Sequence, residues 1–250
     1  MKKLSSLSDK TLLSMANLFR DTCSNIPVCR VVKKNKESYN YIPLPITDGP
    51  MKDTELDAIG MVTGKALMNE DIDLLNITGI TESDRGGGFI LSSVQRCTGI
   101  NIHWANWYDS STINAFKGDF LTAEMSPEFI MGSSLRPGLY LPEHIKKSLQ
   151  KGGVVLIDDV VSTSKTLFTL KSILDMADIP LRAIVCGVEK VDYEGGSKLR
   201  ETFPHIPFIT VARVKIRDFT EEEELYYSFN KNFIGMSEVI GDRTVPYYIL

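Results

Sequence analysis

Cysteine is scarce and unpaired in this chain: Cys23, Cys29, Cys97 and Cys186 are scattered along 250 residues with no CxxC spacing. That pattern excludes a disulfide framework and a thiolate zinc cage, and it fits a reducing, cytoplasmic setting. No stretch reaches the roughly 18 to 20 apolar residues needed to cross a bilayer. The start, MKKLSSLSDKTLLSMANLF, lacks the unbroken apolar core of a signal peptide, because Asp9 and Lys10 interrupt it. Positive charge is not in excess either. With 28 basic and 32 acidic residues the formal net charge is -4, so the chain lacks the field that nucleic acid or an anionic membrane would need. Neither an internal repeat nor a low-complexity tract is present.

What the chain has is the make-up of an ordinary globular protein, 43% hydrophobic and 24% charged. The N-terminal segment reads as an amphipathic helix capped by Ser8, with Leu12, Met15, Ala16 and Phe19 on one stripe. KKNKESYN reads as a hairpin tip or loop, PLPITDGPM as a turn-rich stretch, and residues 54 to 68 as a helix. From about residue 72 strands and helices alternate. LLNITGI (74–80), INIHWAN (100–106), VVLID (154–158), LRAIVCGV (181–188) and PFITVARV (207–214) read as strands, and 87–99, 144–153 and 165–177 as helices. Continuously apolar strands separated by helices predict an α/β fold, a mostly parallel sheet with helices on both faces. The expected division is residues 1–70 as an N-terminal region and 71–250 as the α/β core, within one compact domain. Residues 107–138 are too long and irregular for an ordinary connection and read as a lid, a binding loop or a small subdomain. Thr220 and the acidic run Glu221 to Glu224 read as the capped first turn of a helix.

The most informative stretch is GGVVLIDDVVSTSKT, residues 152–166. A greasy strand meets two adjacent carboxylates, Asp158 and Asp159, followed by the small-residue run Ser162, Thr163, Ser164, Lys165 and Thr166. Ligands of open parallel sheets sit beyond the carboxyl ends of the strands. Small residues opening a helix can turn backbone amides and hydroxyls toward a phosphate, aided by the helix dipole. Two carboxylates beside that cradle would repel the phosphate, so they suit sugar hydroxyls or a divalent cation. The ligand these residues imply is a phosphorylated sugar, with magnesium. An acidic pair can equally cap a helix, and small hydroxyl residues make ordinary turns, so local chemistry leaves both readings open.

VVLIDDVVSTSKT resembles the signature of the type I phosphoribosyltransferases, which bind phosphoribosyl pyrophosphate (PRPP). The likeness extends over about residues 40 to 210 and is nearest the adenine/xanthine-type branch of that family. NITGITESDRGGGFILSSVQRCTGI is similar to the strand, pyrophosphate loop and helix of the adenine-type enzymes, with Ser83, Asp84, Arg85, Gly86 and Phe89 at the loop. VEKVDYEGGSKLRE is similar to a Gly-Gly segment of orotate-type relatives that borders the base, which implies Glu189, Lys190 and Asp192 as base-binding candidates.

The resemblance implies a Rossmann-like sheet with an N-terminal hood over the base. It implies Asp158 and Asp159 as the catalytic pair on the ribose hydroxyls, reaching Mg2+ directly or through water. It further implies residues 162 to 166 on the 5′-phosphate, the 83 to 86 loop on pyrophosphate, PRPP and a nucleobase as partners, and a homodimer. A purine is the expected base. Lys117, Glu124 and Arg136 would supply charge from the lid, and Phe89, Trp104, Trp107 and Tyr108 are candidates for stacking on the base. The chain departs from the family at Ser164 and Lys165, where glycine is usual, and lacks the basic pair after INIHWAN and the Tyr-x-x-Glu-Tyr-Gly element. Those departures keep two alternatives open: a catalytically silent PRPP- or nucleotide-binding regulator, and a transferase for orotate or another unusual base.

Overall fold

The structure is a computed structural model that describes residues 4, 6–24, 29–32, 38–41, 51–82, 86–108, 110–115, 119–123 and 136–214. The first element is helix α1 (Asp9–Ser24), capped at Ser8, whose Oγ accepts the Thr11 amide at 3.2 Å. Leu12, Ala16, Phe19 and Cys23 form its buried stripe, one turn longer than the sequence stripe; Met15 is half-buried beside it. A short antiparallel hairpin follows, β1 (Cys29–Val32) with β2 (Ser38–Tyr41). Its tip at 33–37, the turn-rich 42–50 and the expected Thr220–Glu224 helix turn lie outside the described residues.

The main chain path continues through α2 (Asp53–Asn69), β3 (Thr78–Glu82), α3 (Gly87–Thr98), β4 (Asn101–Tyr108), α4 (Ser110–Ala115), β5 (Phe120–Thr122) and β6 (Arg136–Tyr140). Within the described residues it goes on through α5 (Glu143–Gly152), β7 (Val154–Val161), α6 (Lys165–Met176), β8 (Leu181–Lys190), α7 (Gly195–Thr202) and β9 (Phe208–Val214). Seven strands make one sheet in the order β5-β6-β4-β3-β7-β8-β9. Strands β4, β3, β7, β8 and β9 run parallel, and β5 and β6 extend the β4 side antiparallel.

The unbroken apolar runs exist because both faces of this sheet are covered. Along β7, Val155 and Ile157 join a core with Phe19 of α1, Ile59 and Leu67 of α2, and Ile90, Leu91 and Val94 of α3. Val154 and Leu156 point the other way, into a core with Leu149 of α5, Leu170 and Ile173 of α6, and Leu199 of α7. Helix α1 is also tied to the sheet through Arg20, a buried guanidinium whose Nε donates to the Val211 carbonyl of β9 at 3.0 Å. At the α2–α3 contact Gly60 lies so close to Ser93 that a Cβ would overlap its hydroxyl.

Three expectations are corrected. The 74–80 strand begins only at Thr78, because residues 74–76 form a turn in which Asp73 accepts the Leu75 amide and the Asn76 side chain; Leu75 is 64% exposed. Strand β7 continues through the acidic pair to Val161 instead of stopping at 158, because β8 continues to pair with it, Asp158 opposite Cys186 and Val161 opposite Glu189. The 107–138 stretch is not one long loop. Its described residues include the end of β4, helix α4, strand β5 and the start of β6, and β6 pairs with both β4 and β5.

Candidate functional site

Strand order places a switch point between β3 and β7. From β3 the chain moves outward to β4, and from β7 it moves the opposite way to β8 and β9. The helices after these two strands leave on opposite faces, α3 into one core and α6 into the other, which leaves a crevice above the strand ends. Strands β3 and β7 pair as far as Ile80 and Leu156, and Asp158 and Asp159 follow two and three residues after Leu156.

At the acidic pair the strand's alternation slips. Ile157 and Val160, three residues apart, pack in the same core, and Val161 packs in the other. The amides there bond locally: Asp159 N–H donates to Asp158 Oδ1 at 3.0 Å and Val160 N–H to Asp159 Oδ1 at 2.8 Å. Asp159 is 6% exposed, and its second oxygen, Oδ2, is buried without a hydrogen-bond partner. A buried carboxylate oxygen is costly to leave unbonded, so this atom is suited to accept from a ligand. Burial pushes the Asp158 carboxyl well above the usual carboxylate range, with the charges of Asp159 and Glu82 adding to the effect.

The small-residue run turns from β7 into α6. Ser162 and Thr166 are half-buried, Thr163 is exposed, and Lys165 is the first residue of the helix. Ser164 holds φ +61° and ψ 13°, the left-handed conformation that glycine adopts without strain. The Ser164 side chain is 5% exposed, and its Oγ is buried with no partner, so it lies within the turn and not on an open surface. Ser164 gives α6 no side-chain cap, which leaves the first-turn amides to be met by something else.

The second motif reaches the same place. Ser83, Asp84 and Arg85 lie outside the described residues, and Gly86 is the buried residue immediately before α3. Helix α3 likewise has no side-chain cap. Its first residue, Gly87, lies against the acidic pair: a Cβ there would stand 3.5 Å from Asp158 Cα and from the Asp159 nitrogen, and would overlap the Thr81 hydroxyl. Two motifs some 70 residues apart in sequence therefore meet at backbone distance.

Of the third group, Glu189 is turned into the protein. Glu189 is 1% exposed, and its carboxylate is held by Arg200, Nη1 to Oε1 and Nη2 to Oε2 at 2.7 Å each, with Arg213 Nε 3.0 Å from Oε2. Lys190 is the half-buried last residue of β8, and Asp192 lies in the 3-10 turn Val191–Tyr193, its side chain outside the described residues. Of the aromatic candidates, Trp104 packs over Gly88, Trp107 donates its indole N–H to Glu82, and Tyr108 meets Phe120 edge-on at 4.3 Å between centroids. Phe89, on the first turn of α3, is 61% exposed. Lys117 and Glu124 lie outside the described residues; Arg136 opens β6 opposite Tyr108.

Sequence reading missed Glu82, Gly87 and Gly195 as parts of this region. Glu82 carries a legible signal, being the last residue of the strand next to β7; the two glycines are defined only by what they approach in space.

Among the described residues no cluster of three or more His, Cys, Asp or Glu side chains is arranged to hold a metal ion. The two aspartates fit a hard cation that takes most of its oxygens from ligand and water. Within the described residues no helix is long and apolar enough to cross a membrane.

A doubly wound sheet with two glycine- or serine-lined helix openings at its switch point defines the class of open α/β proteins whose ligands sit beyond the carboxyl ends of the strands. More narrowly, the fold is that of the type I phosphoribosyltransferases. The adenine phosphoribosyltransferase of Trypanosoma brucei, in complex with AMP, pyrophosphate and ribose-5-phosphate, superposes with a TM-score of 0.58 at 15% identity, covering 80% of this chain and 79% of that one. The Leishmania donovani enzyme gives 0.56 at 14% identity, covering 86% and 85%, and the Thermoanaerobacter pseudethanolicus enzyme 0.55 at 13%, covering 79% and 99%. No protein-family model and no curated protein matches the chain.

Proposed function

We propose that the protein transfers the 5-phosphoribosyl group of PRPP to a nucleobase. A base nitrogen forms a bond to C1 of the ribose as the C1–oxygen bond breaks, and the electron pair leaves with pyrophosphate. The observation that carries this reading is the conjunction at the switch point: an orphaned Asp159 Oδ2, the uncapped 162–166 turn, and Gly87 pressed against the acidic pair. In it Asp159 accepts a ribose hydroxyl, Asp158 lies beside the developing positive charge on the ring, and residues 162 to 166 hold the 5′-phosphate. Gly86 with its neighbours Ser83 to Arg85 holds pyrophosphate. Asp158 and Asp159 would hold Mg2+, directly or through water, and the ion would supply charge neutralisation for pyrophosphate.

Such a site accelerates the reaction by positioning and electrostatic stabilisation, with little covalent chemistry of its own. The described residues of the 107–138 segment supply the cover that excludes water. A purine is the favoured base, on the likeness to adenine enzymes; a cytoplasmic homodimer completes the proposal, with residues 1–70 as hood.

The test is incubation with PRPP, Mg2+ and a panel of purines and pyrimidines, with pyrophosphate release as readout. Release with a purine is expected, and Asp159→Asn is expected to abolish it while circular dichroism stays unchanged. Binding of PRPP without release from any base would replace the transferase with a PRPP-binding regulator.

A further inference from the structure

The segment after β8 does structural work for the small-residue turn that its sequence does not announce. Glu194 holds φ +57° and launches α7, whose first residue is Gly195. The Gly195 N–H donates to the Ser162 carbonyl at 2.9 Å. A Cβ at Gly195 would overlap that carbonyl oxygen and stand 2.7 Å from Ser164 Oγ, so only glycine allows the approach without displacing the turn. Gly196 sits equally close to Glu189, whose Oε1 a Cβ would overlap.

Glu189 fixes this arrangement from below. Its carboxylate joins β8 to α7 through the fork of Arg200 and to β9 through Arg213. Arg200 also lies over the Phe208 ring, 4.7 Å from its centroid. A planar fork on a buried carboxylate allows little rotation, so α7 enters the site at a fixed angle. The physical chain runs from Arg213 through Glu189 and Arg200 into helix α7, and from its first residue, Gly195, to Ser162.

We infer that Gly195 is a positioning residue for the 5′-phosphate cradle, and that the Glu189–Arg200 pair holds it in place. The inference rests on the phosphoribosyl reading of residues 162–166 and assigns the 189–200 segment to the phosphate end of the ligand. Displacing the turn by a fraction of an ångström moves its amides off the phosphate while leaving the pyrophosphate side unmoved.

Calorimetry with ribose 5-phosphate, and separately with pyrophosphate plus Mg2+, tests this on the full chain and on Gly195→Ala and Arg200→Lys. Wild type binds both ligands. Gly195→Ala weakens ribose 5-phosphate about tenfold or more and leaves pyrophosphate within about twofold; with PRPP the loss falls on KM more than kcat. Arg200→Lys keeps the charge, loses the fork, and weakens ribose 5-phosphate by about threefold, with faster hydrogen exchange at the Gly195 amide. Equal ribose 5-phosphate affinity in wild type and Gly195→Ala overturns the inference and leaves the transferase reading standing. If Gly195→Ala fails to fold, unchanged ribose 5-phosphate affinity in Arg200→Lys despite faster exchange overturns it instead. A wild type that binds no ribose 5-phosphate overturns the reading of the turn and the inference together.

Discussion

The Glu82 carboxylate, two residues beyond Ile80 at the end of β3, acts on Asp158, two residues beyond the paired Leu156 in the neighbouring β7. Desolvation of Asp158, the charge of Asp159 and that of Glu82 all oppose its ionisation. The folded protein therefore holds a proton on Asp158 at pH values where the unfolded chain, ordinary at about 3.9, has released it. Stability attributable to this group is full below the unfolded value and falls as pH rises toward the elevated folded one. Asp158→Asn is expected to flatten that decline and to raise the urea midpoint at pH 7 more than at pH 4. Glu82→Gln is expected to flatten it in part. Parallel pH profiles for wild type and Asp158→Asn would show that Asp158 ionises as freely in the fold as outside it.

Ser164 combines a left-handed backbone with a buried, unpartnered hydroxyl, and each carries a cost. Ser164→Gly removes both and is expected to stabilise the protein by about 1 to 2 kcal/mol. Ser164→Ala removes the orphaned oxygen alone and is expected to give a smaller gain. Chemical denaturation of the three proteins separates the terms; a Ser164→Gly variant less stable than wild type would mean the hydroxyl holds a bonded water.

Arg200→Met takes the fork from a carboxylate that is almost wholly buried and leaves Arg213 as its cation. A loss of about 3 kcal/mol is expected, because a buried charge stripped of its main partner is the costly outcome. The double variant Arg200→Met with Glu189→Gln should recover part of it. A loss below about 0.5 kcal/mol for the single variant would place this pair among the weak surface bridges.

The parts of the fold legible in sequence are those whose partners lie close along the chain. The α1 stripe was set by 3.6-residue spacing, and β7 by a run of β-branched residues whose two faces feed two cores. The phosphosugar motif was legible because a strand, an acidic pair and a small-residue turn are contiguous. What sequence left hidden depends on distant meetings. Glu189 looks like a surface acid until Arg200 and Arg213 are brought to it, and Gly195 looks like a turn residue until Ser162 is found beneath it. Residues 107–138 were opaque for a related reason, since β5 and β6 acquire strand structure by pairing with each other and, for β6, with β4.

Strand β7 breaks step where its two acids stand, so that Ile157 and Val160 share a core. In a regular pleat, neighbouring residues part to opposite sides of the sheet. Grafting the six residues Val154 to Asp159 onto an evenly pleated host would therefore send one carboxylate away from the other. The transferable unit therefore reaches well past the acidic pair: a donor segment cut before Val161 would lose the slip in alternation that the full signature carries.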